Sequence, residues 1–386
     1  MLAPVMDCHT PVGISAISAT PGGIEALRQL AQSPRDGAVC QVEDRPTVGG
    51  RDFVTRNIIP LPIKKTSNRR RLIDRLLAER GGLTGTHEGK LTMRPNKPKT
   101  KILVDGGDPH ETLRIKKLMG FVDGQTTNPS LIAKNPEVQQ LLASGHRLTR
   151  QEQRNEYKKI VQTISPLVGD AGVSIEVFAD LDTTAEEMLA QGQEMFSWIS
   201  NAYIKYPCTR EGLRAAHASI ERSIRVNMTL CFSQDQAAAV YAATKGAKDP
   251  VYVSPFIGRL DDRGDNGMDV VRNILKMYQA GDHHVHVLAA SIRHLDQLLY
   301  SFALEAELAT VPGKVLEAWA TQGSPLPDDR FVYPAVDSKG QALKPIEYKE
   351  LDLNDSWESF DLRHELTTKG IQRFVADYES TLRKSA

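Results

Sequence analysis

The chain has 386 residues, 40% of them hydrophobic and 25% charged, with 48 basic and 48 acidic side chains. That length allows one large domain or two ordinary ones with an ample core, and a net charge of zero argues against a nucleic-acid partner or an anionic membrane surface. No stretch approaches the ~18 consecutive apolar residues of a membrane span, and Cys8, Cys40, Cys208 and Cys231 lack metal-ligand or secreted-framework spacing, so a reducing cytoplasm is the expected location.

Charge is unevenly placed. Residues 1–100 hold sixteen Lys and Arg against nine Asp and Glu, a surplus of 7, and the remainder carries 32 against 39. This first segment is turn-rich, has a basic run from Lys64 to Arg71, and offers only short helix candidates at 23–32 and 71–80. Without sustained apolar periodicity it is expected to be a low-order basic extension over 1–98, not a folded domain. A targeting peptide fits poorly because Asp7 comes early and no amphipathic basic helix opens the chain. Met93, just before the first strong strand, leaves open a later start.

From Lys101 the texture changes, and 99–386 is expected to form one domain. Short apolar strands are predicted at 101–106, 120–126, 173–179, 202–206, 225–232, 251–257, 284–290 and 307–311. Amphipathic helices are predicted between them at 109–118, 184–199, 211–220, 235–244, 267–279 and 295–301. Eight alternating units over roughly 250 residues fit a closed α/β (β/α)8 TIM barrel better than an open doubly wound sheet. Asp105-Gly106-Gly107-Asp108 lacks the spacing of a dinucleotide loop. A helix at 369–383 is expected to end a tail that covers the barrel or a subunit interface; a homodimer is one expected arrangement.

In such a barrel the chemistry sits at the C-terminal strand ends. Strand four, Ala202-Tyr203-Ile204-Lys205-Tyr206-Pro207, places an ammonium in a run that should be buried, and Pro207 should stop the ladder because it has no N–H. A lysine at a strand end is more often a solvated charge. Here, however, the other strands end in Asp105, Thr126 to Ser130, Glu176, Asn227 with Thr229, Ser254 with Arg259, and Ser291 with Arg293. A desolvated amine flanked by carboxylates suits carbonyl chemistry through an imine. Glu176 is the expected proton relay through a water steadied by Thr229, although a plain salt bridge to Lys205 is an equal alternative. Asp105 is expected to take a proton from a substrate hydroxyl as a C–C bond breaks, with a turn-capping role as its alternative. Arg259, Arg293, Ser254 and Ser291 are expected to hold a phosphate. His283, His284 and His286 invite a metal, but no carboxylate stands at matching spacing, so none is expected. Cys208 and Cys231 read as small buried residues.

Together these segments resemble the transaldolase family of class I aldolases. The resemblance rests on Val104-Asp105-Gly106-Gly107-Asp108, Thr126-Thr127-Asn128-Pro129-Ser130-Leu131, Ser174-Ile175-Glu176-Val177, Ile204-Lys205, Asn227-Met228-Thr229-Leu230, Ser254-Pro255-Phe256-Ile257-Gly258-Arg259 and Ala290-Ser291-Ile292-Arg293. It implies a Schiff base at Lys205, a catalytic water served by Glu176 and Thr229, Asp105 as acid/base, and sugar-hydroxyl contacts from Asn128 and Asn227. The implied partners are phosphorylated ketose and aldose substrates. A dihydroxyacetone unit would pass from sedoheptulose 7-phosphate to glyceraldehyde 3-phosphate, a pentose phosphate pathway step that needs no cofactor. Tyr206-Pro207-Cys208-Thr209 and Ala289-Ala290-Ser291 are closer to short fructose-6-phosphate aldolases, whereas Glu176 and Phe256 match the transferases. A carboxylate relays protons better than an amide, which favours transfer. Cleavage without transfer and a catalytically silent sugar-phosphate-binding barrel are the alternatives.

Overall fold

The computed structural model describes residues 98–383. Eight parallel strands close into a barrel in chain order: β1 (Lys101–Asp105), β2 (Gly124–Thr126), β3 (Gly172–Glu176), β4 (Ala202–Pro207), β5 (Val226–Cys231), β6 (Val251–Pro255), β7 (Val285–Ala289) and β8 (Leu308–Val311). β2 to β6 and β8 are buried at every residue, as expected of strands with helices outside and side chains filling the interior. Alternation sorts the two faces of β4. Tyr206 turns outward to bond Ser219, while Tyr203 turns inward and stacks on Tyr252 at 4.1 Å, giving the barrel an aromatic floor.

The helices are α1 (Pro109–Met119), α2 (Pro129–Ala133), α3 (Pro136–Ala143), α4 (Arg150–Ile164), α5 (Ala185–Phe196), α6 (Arg210–Ile220), α7 (Gln234–Ala243), α8 (Ile257–Asp261), α9 (Gly267–Tyr278), α10 (Leu295–Ala303), α11 (Gly313–Thr321) and α12 (Glu365–Glu379). Local chemistry sets their starts. Thr149 and Thr184 form capping boxes with Glu152 and Glu187, and Asn128 and Asn135 accept from the first turns of Pro-led helices.

The expected barrel is present, with changes at its edges. The second strand begins at Gly124, not at 120, because Gly120 is the C-cap of α1, with φ of 81° and its N–H on Lys116 O. The sixth strand stops at Pro255, and Ile257 opens α8. Pro207 does not break the pairing at once: it lies opposite Thr229, and the Cys208 N–H still donates to Thr229 O at 2.8 Å. The terminal helix begins at Glu365 and ends at Glu379, four residues earlier at each end than expected. Residues 1–97, and with them the helices expected at 23–32 and 71–80, lie outside the described residues.

The tail is held by buried side-chain amides more than by regular structure. Gln234 donates to Lys349 O and accepts from Lys349 N, Asn273 donates to Ile346 O, and Asp269 accepts from Ile346 N. These bonds, each worth about 1 kcal/mol net, lead the chain along α7 and α9. α12 then crosses the open end of the barrel. Thr367 donates to Leu230 O, Asp377 accepts from Ser130, and Leu148 pairs with Leu382 beyond the helix.

Candidate active site

At the C-terminal ends of the strands, register lines up the polar residues. Glu176 lies opposite Lys205, and Lys205 opposite Asn227. The side chains of Lys205 and Glu176 are 4% and 5% exposed, with Nζ 2.8 Å from Oε2. The contact is close enough for proton exchange although poorly directed as a hydrogen bond. Nζ instead donates to the Thr127 carbonyl at 3.1 Å. The salt bridge foreseen as the alternative to a relay is thus present. Burying such a pair is weak evidence of a stabilising purpose, since desolvation offsets much of the attraction.

Burial pushes the Glu176 carboxyl above the ordinary carboxylate range, against the opposing pull of Lys205. Asp105, at the end of β1, is raised in the same way; Lys205, the Thr126 hydroxyl that donates to it at 2.9 Å, and Arg293 pull against that shift. The Thr229 hydroxyl lies on the inward face two residues past Asn227, buried and without a hydrogen-bond partner among the described residues. Just beyond it, Leu230 takes a left-handed φ of 57° where the β5–β6 register shifts, a bulge of the kind found beside active sites.

Asn227 is the hub of a chain across three strands: it donates to Ser174 Oγ at 3.0 Å and accepts from Ser254 Oγ at 2.7 Å. Ser254, expected at a phosphate, therefore spends its hydroxyl hydrogen on Asn227. Asn128 caps α2 through Oδ1, which accepts from Leu131 N at 2.9 Å. A cavity of about 270 Å³ brings together Asp105, Asn128, Lys205, Ser254, Arg259, Ser291 and Arg293. Glu176, Asn227 and Thr229 are not part of its lining. A larger open groove of about 750 Å³ beside Thr209 and residues 359–368 holds none of these groups.

Arg259 forms no ion pair among the described residues. Its guanidinium lies between the rings of Phe256, 5.3 Å away, and Phe374 of α12, 5.4 Å away. Burial is the main influence lowering its pKa, and Arg293 adds to that. A flat, oriented, unpaired guanidinium facing a cavity suits an anion. Arg293 donates to Asp262 at 2.9 Å from the far side, and Ser291 holds the turn between them at φ 57°, its carbonyl accepting from Gly258 N.

Several supports were not anticipated from the sequence. The Tyr157 hydroxyl on α4 accepts from Glu176 N at 2.9 Å and contacts Thr127 Oγ1 at 2.6 Å, joining Glu176 to the residue whose carbonyl accepts from Lys205. Its helix shows in the spacing of Tyr157, Ile160, Val161 and Ile164. Phe374 gives no comparable sequence signal, because its role depends on where α12 crosses. Burial and neighbouring Cys231 push the Cys208 thiol well up, which keeps it protonated and unreactive. His284 pairs with Asp282 and packs on Tyr241, and His286 lies over the Tyr252 ring.

A buried lysine–carboxylate pair beneath an arginine-lined cavity, at the C-terminal mouth of a (β/α)8 barrel, defines a barrel enzyme with carbonyl-directed chemistry. The family model described as Transaldolase/Fructose-6-phosphate aldolase matches residues 102–385. Curated relatives described as "Probable transaldolase" include one from Dehalococcoides mccartyi, 38% identical over 56% of this chain and 88% of its own length. One from Roseiflexus sp. is 33% identical over 70% and 93%, and one from Moorella thermoacetica 33% identical over 74% and 100%. The chain belongs to the transaldolase/fructose-6-phosphate aldolase family, and it is an aldolase/transaldolase-type enzyme.

Proposed function

We propose that the protein is a transaldolase of the pentose phosphate pathway, carrying a dihydroxyacetone unit on Lys205 from a phosphorylated ketose to a phosphorylated aldose. The observation that carries this reading is the buried Lys205 Nζ, 2.8 Å from the Glu176 carboxylate. Lys205 attacks the C2 carbonyl of sedoheptulose 7-phosphate, and the carbinolamine loses water to give the imine. Glu176, through a water steadied by the Thr229 hydroxyl, supplies and recovers the protons of these steps. A carboxyl lifted by burial is the better acid–base partner near neutral pH. Asp105 takes the C4 hydroxyl proton as the C3–C4 bond breaks and erythrose 4-phosphate leaves. The electron pair stays on the lysine-bound fragment, conjugated with the imine. That fragment adds to the aldehyde of glyceraldehyde 3-phosphate, Asp105 returns its proton to the new hydroxyl, and water releases fructose 6-phosphate. Asn128 and Asn227 contact sugar hydroxyls; Arg259, Arg293 and Ser291 anchor the phosphate, while Ser254 holds Asn227 in place through its hydroxyl hydrogen.

Cleavage of fructose 6-phosphate without transfer is the second reading, favoured by Tyr206-Pro207-Cys208-Thr209. Product analysis with fructose 6-phosphate, with and without erythrose 4-phosphate, separates the two. The transfer reading expects sedoheptulose 7-phosphate to form when the aldose is present, with little free dihydroxyacetone. Equal release of dihydroxyacetone in both mixtures contradicts it.

A further inference from the structure

The same cavity has a wall that the strand ends do not supply. Arg373 and Phe374 of α12 line it together with Arg259 and Arg293. The helix can lie this close because residue 370 is glycine: a Cβ there would sit 2.7 Å from Arg259 Nη1 and 2.6 Å from Leu230 Cδ2. Arg373 is not a buried structural residue, its side chain being 64% exposed. It is held on one side only. Its Nε donates to Asp377 Oδ2 at 3.0 Å, and the terminal nitrogens take no further hydrogen bond among the described residues. The same Asp377 oxygen accepts from Ser130, which follows Asn128 at the cavity edge. Asp377 thereby fixes the orientation of the fork and links α12 to the loop after β2.

We propose that Arg373 is a third guanidinium for the substrate's phosphate, so that α12 completes the anion site and sets the preference for phosphorylated over unphosphorylated sugars. This rests on the reading of the cavity as a sugar-phosphate site. A pre-oriented arginine fork pairs with phosphate oxygens through charge-assisted hydrogen bonds. Its contribution grows with ligand charge and vanishes for a neutral sugar. Asp377 tempers that charge without occupying the outward nitrogens.

The test compares full-length wild type with Arg373→Gln and Arg373→Lys. For fructose 6-phosphate we expect Arg373→Gln to raise KM about tenfold, the loss typical of one charged hydrogen bond, with kcat within about twofold. Turnover of unphosphorylated fructose should stay unchanged, and Arg373→Lys should recover part of the KM. The ratio of kcat/KM for fructose 6-phosphate to that for fructose, measured on one sample, is independent of the fraction folded. An unchanged ratio in Arg373→Gln overturns the proposal, as does an equal loss on both sugars. Calorimetric titration with inorganic phosphate reads the site without turnover. Weakening of about tenfold in Arg373→Gln supports the proposal and no change overturns it, even if the wild type proves inactive on fructose 6-phosphate. That inactivity would contradict the proposed reaction alone.

Discussion

Glu176 and Lys205 are adjacent in the barrel wall, and each suppresses the cost of burying the other. Replacing the carboxyl with an amide of the same shape keeps the packing and removes the proposed proton relay. Glu176→Gln should therefore lower kcat by about 10²- to 10⁴-fold while changing KM little; steady-state kinetics with an unchanged kcat would remove Glu176 from the relay. Asp105 tests a different consequence of burial. Its folded pKa lies above the ordinary value because burial disfavours its charge. Between its unfolded and folded pKa values the folded state therefore binds a proton that the unfolded chain has released. Its contribution to stability is complete below the unfolded pKa and is lost as pH rises through the folded one. Asp105→Asn should accordingly melt higher than wild type at neutral pH, with the difference shrinking toward pH 4 and below. A pH-independent difference in melting scans would contradict the burial argument. Residue types at the strand ends were readable from sequence because a lysine, an aspartate or a glutamate in a buried strand breaks the apolar pattern. The hydrogen bonds of Tyr157 were not readable, since they join residues on α4, β3 and the loop after β2.

At the level of elements, α12 is where the structure adds most to the sequence. Its apolar face was legible as a helix, four residues out of register, because Phe374 and Ile371 are spaced to be buried together. Its docking was not, because Gly370 looks like a liability inside a helix until Arg259 and Leu230 are placed beneath it. Gly370→Leu should drive α12 off the barrel mouth and loosen the Arg259 sandwich. We expect KM for the phosphorylated donor to rise at least tenfold and a lower melting temperature, despite leucine's better helix propensity. A stabilised variant with normal KM would show that the close approach has no functional role. The helices between β2 and β3 were not legible in the sequence for a simpler reason. Three Asn- or Thr-capped helices, α2 to α4, replace the single helix that an alternating pattern leads one to expect.

For the whole molecule, the barrel was legible because alternation of short apolar strands with amphipathic helices is a global pattern that tolerates errors of several residues at each boundary. Seven strand ends then converge on one mouth by topology alone. The tail was not legible beyond its helix, since Gln234, Asn273 and Asp269 hold it through backbone groups at irregular positions. No helix among the described residues is long and apolar enough to cross a membrane. In the proposed reaction Lys205 is the amine that carries the sugar fragment. Borohydride reduction in the presence of fructose 6-phosphate, followed by peptide mass mapping, tests it most directly. A substrate-derived adduct is expected on the peptide containing Lys205 and absent from Lys205→Ala. A wild-type protein that binds the sugar phosphate yet carries no adduct there would contradict it.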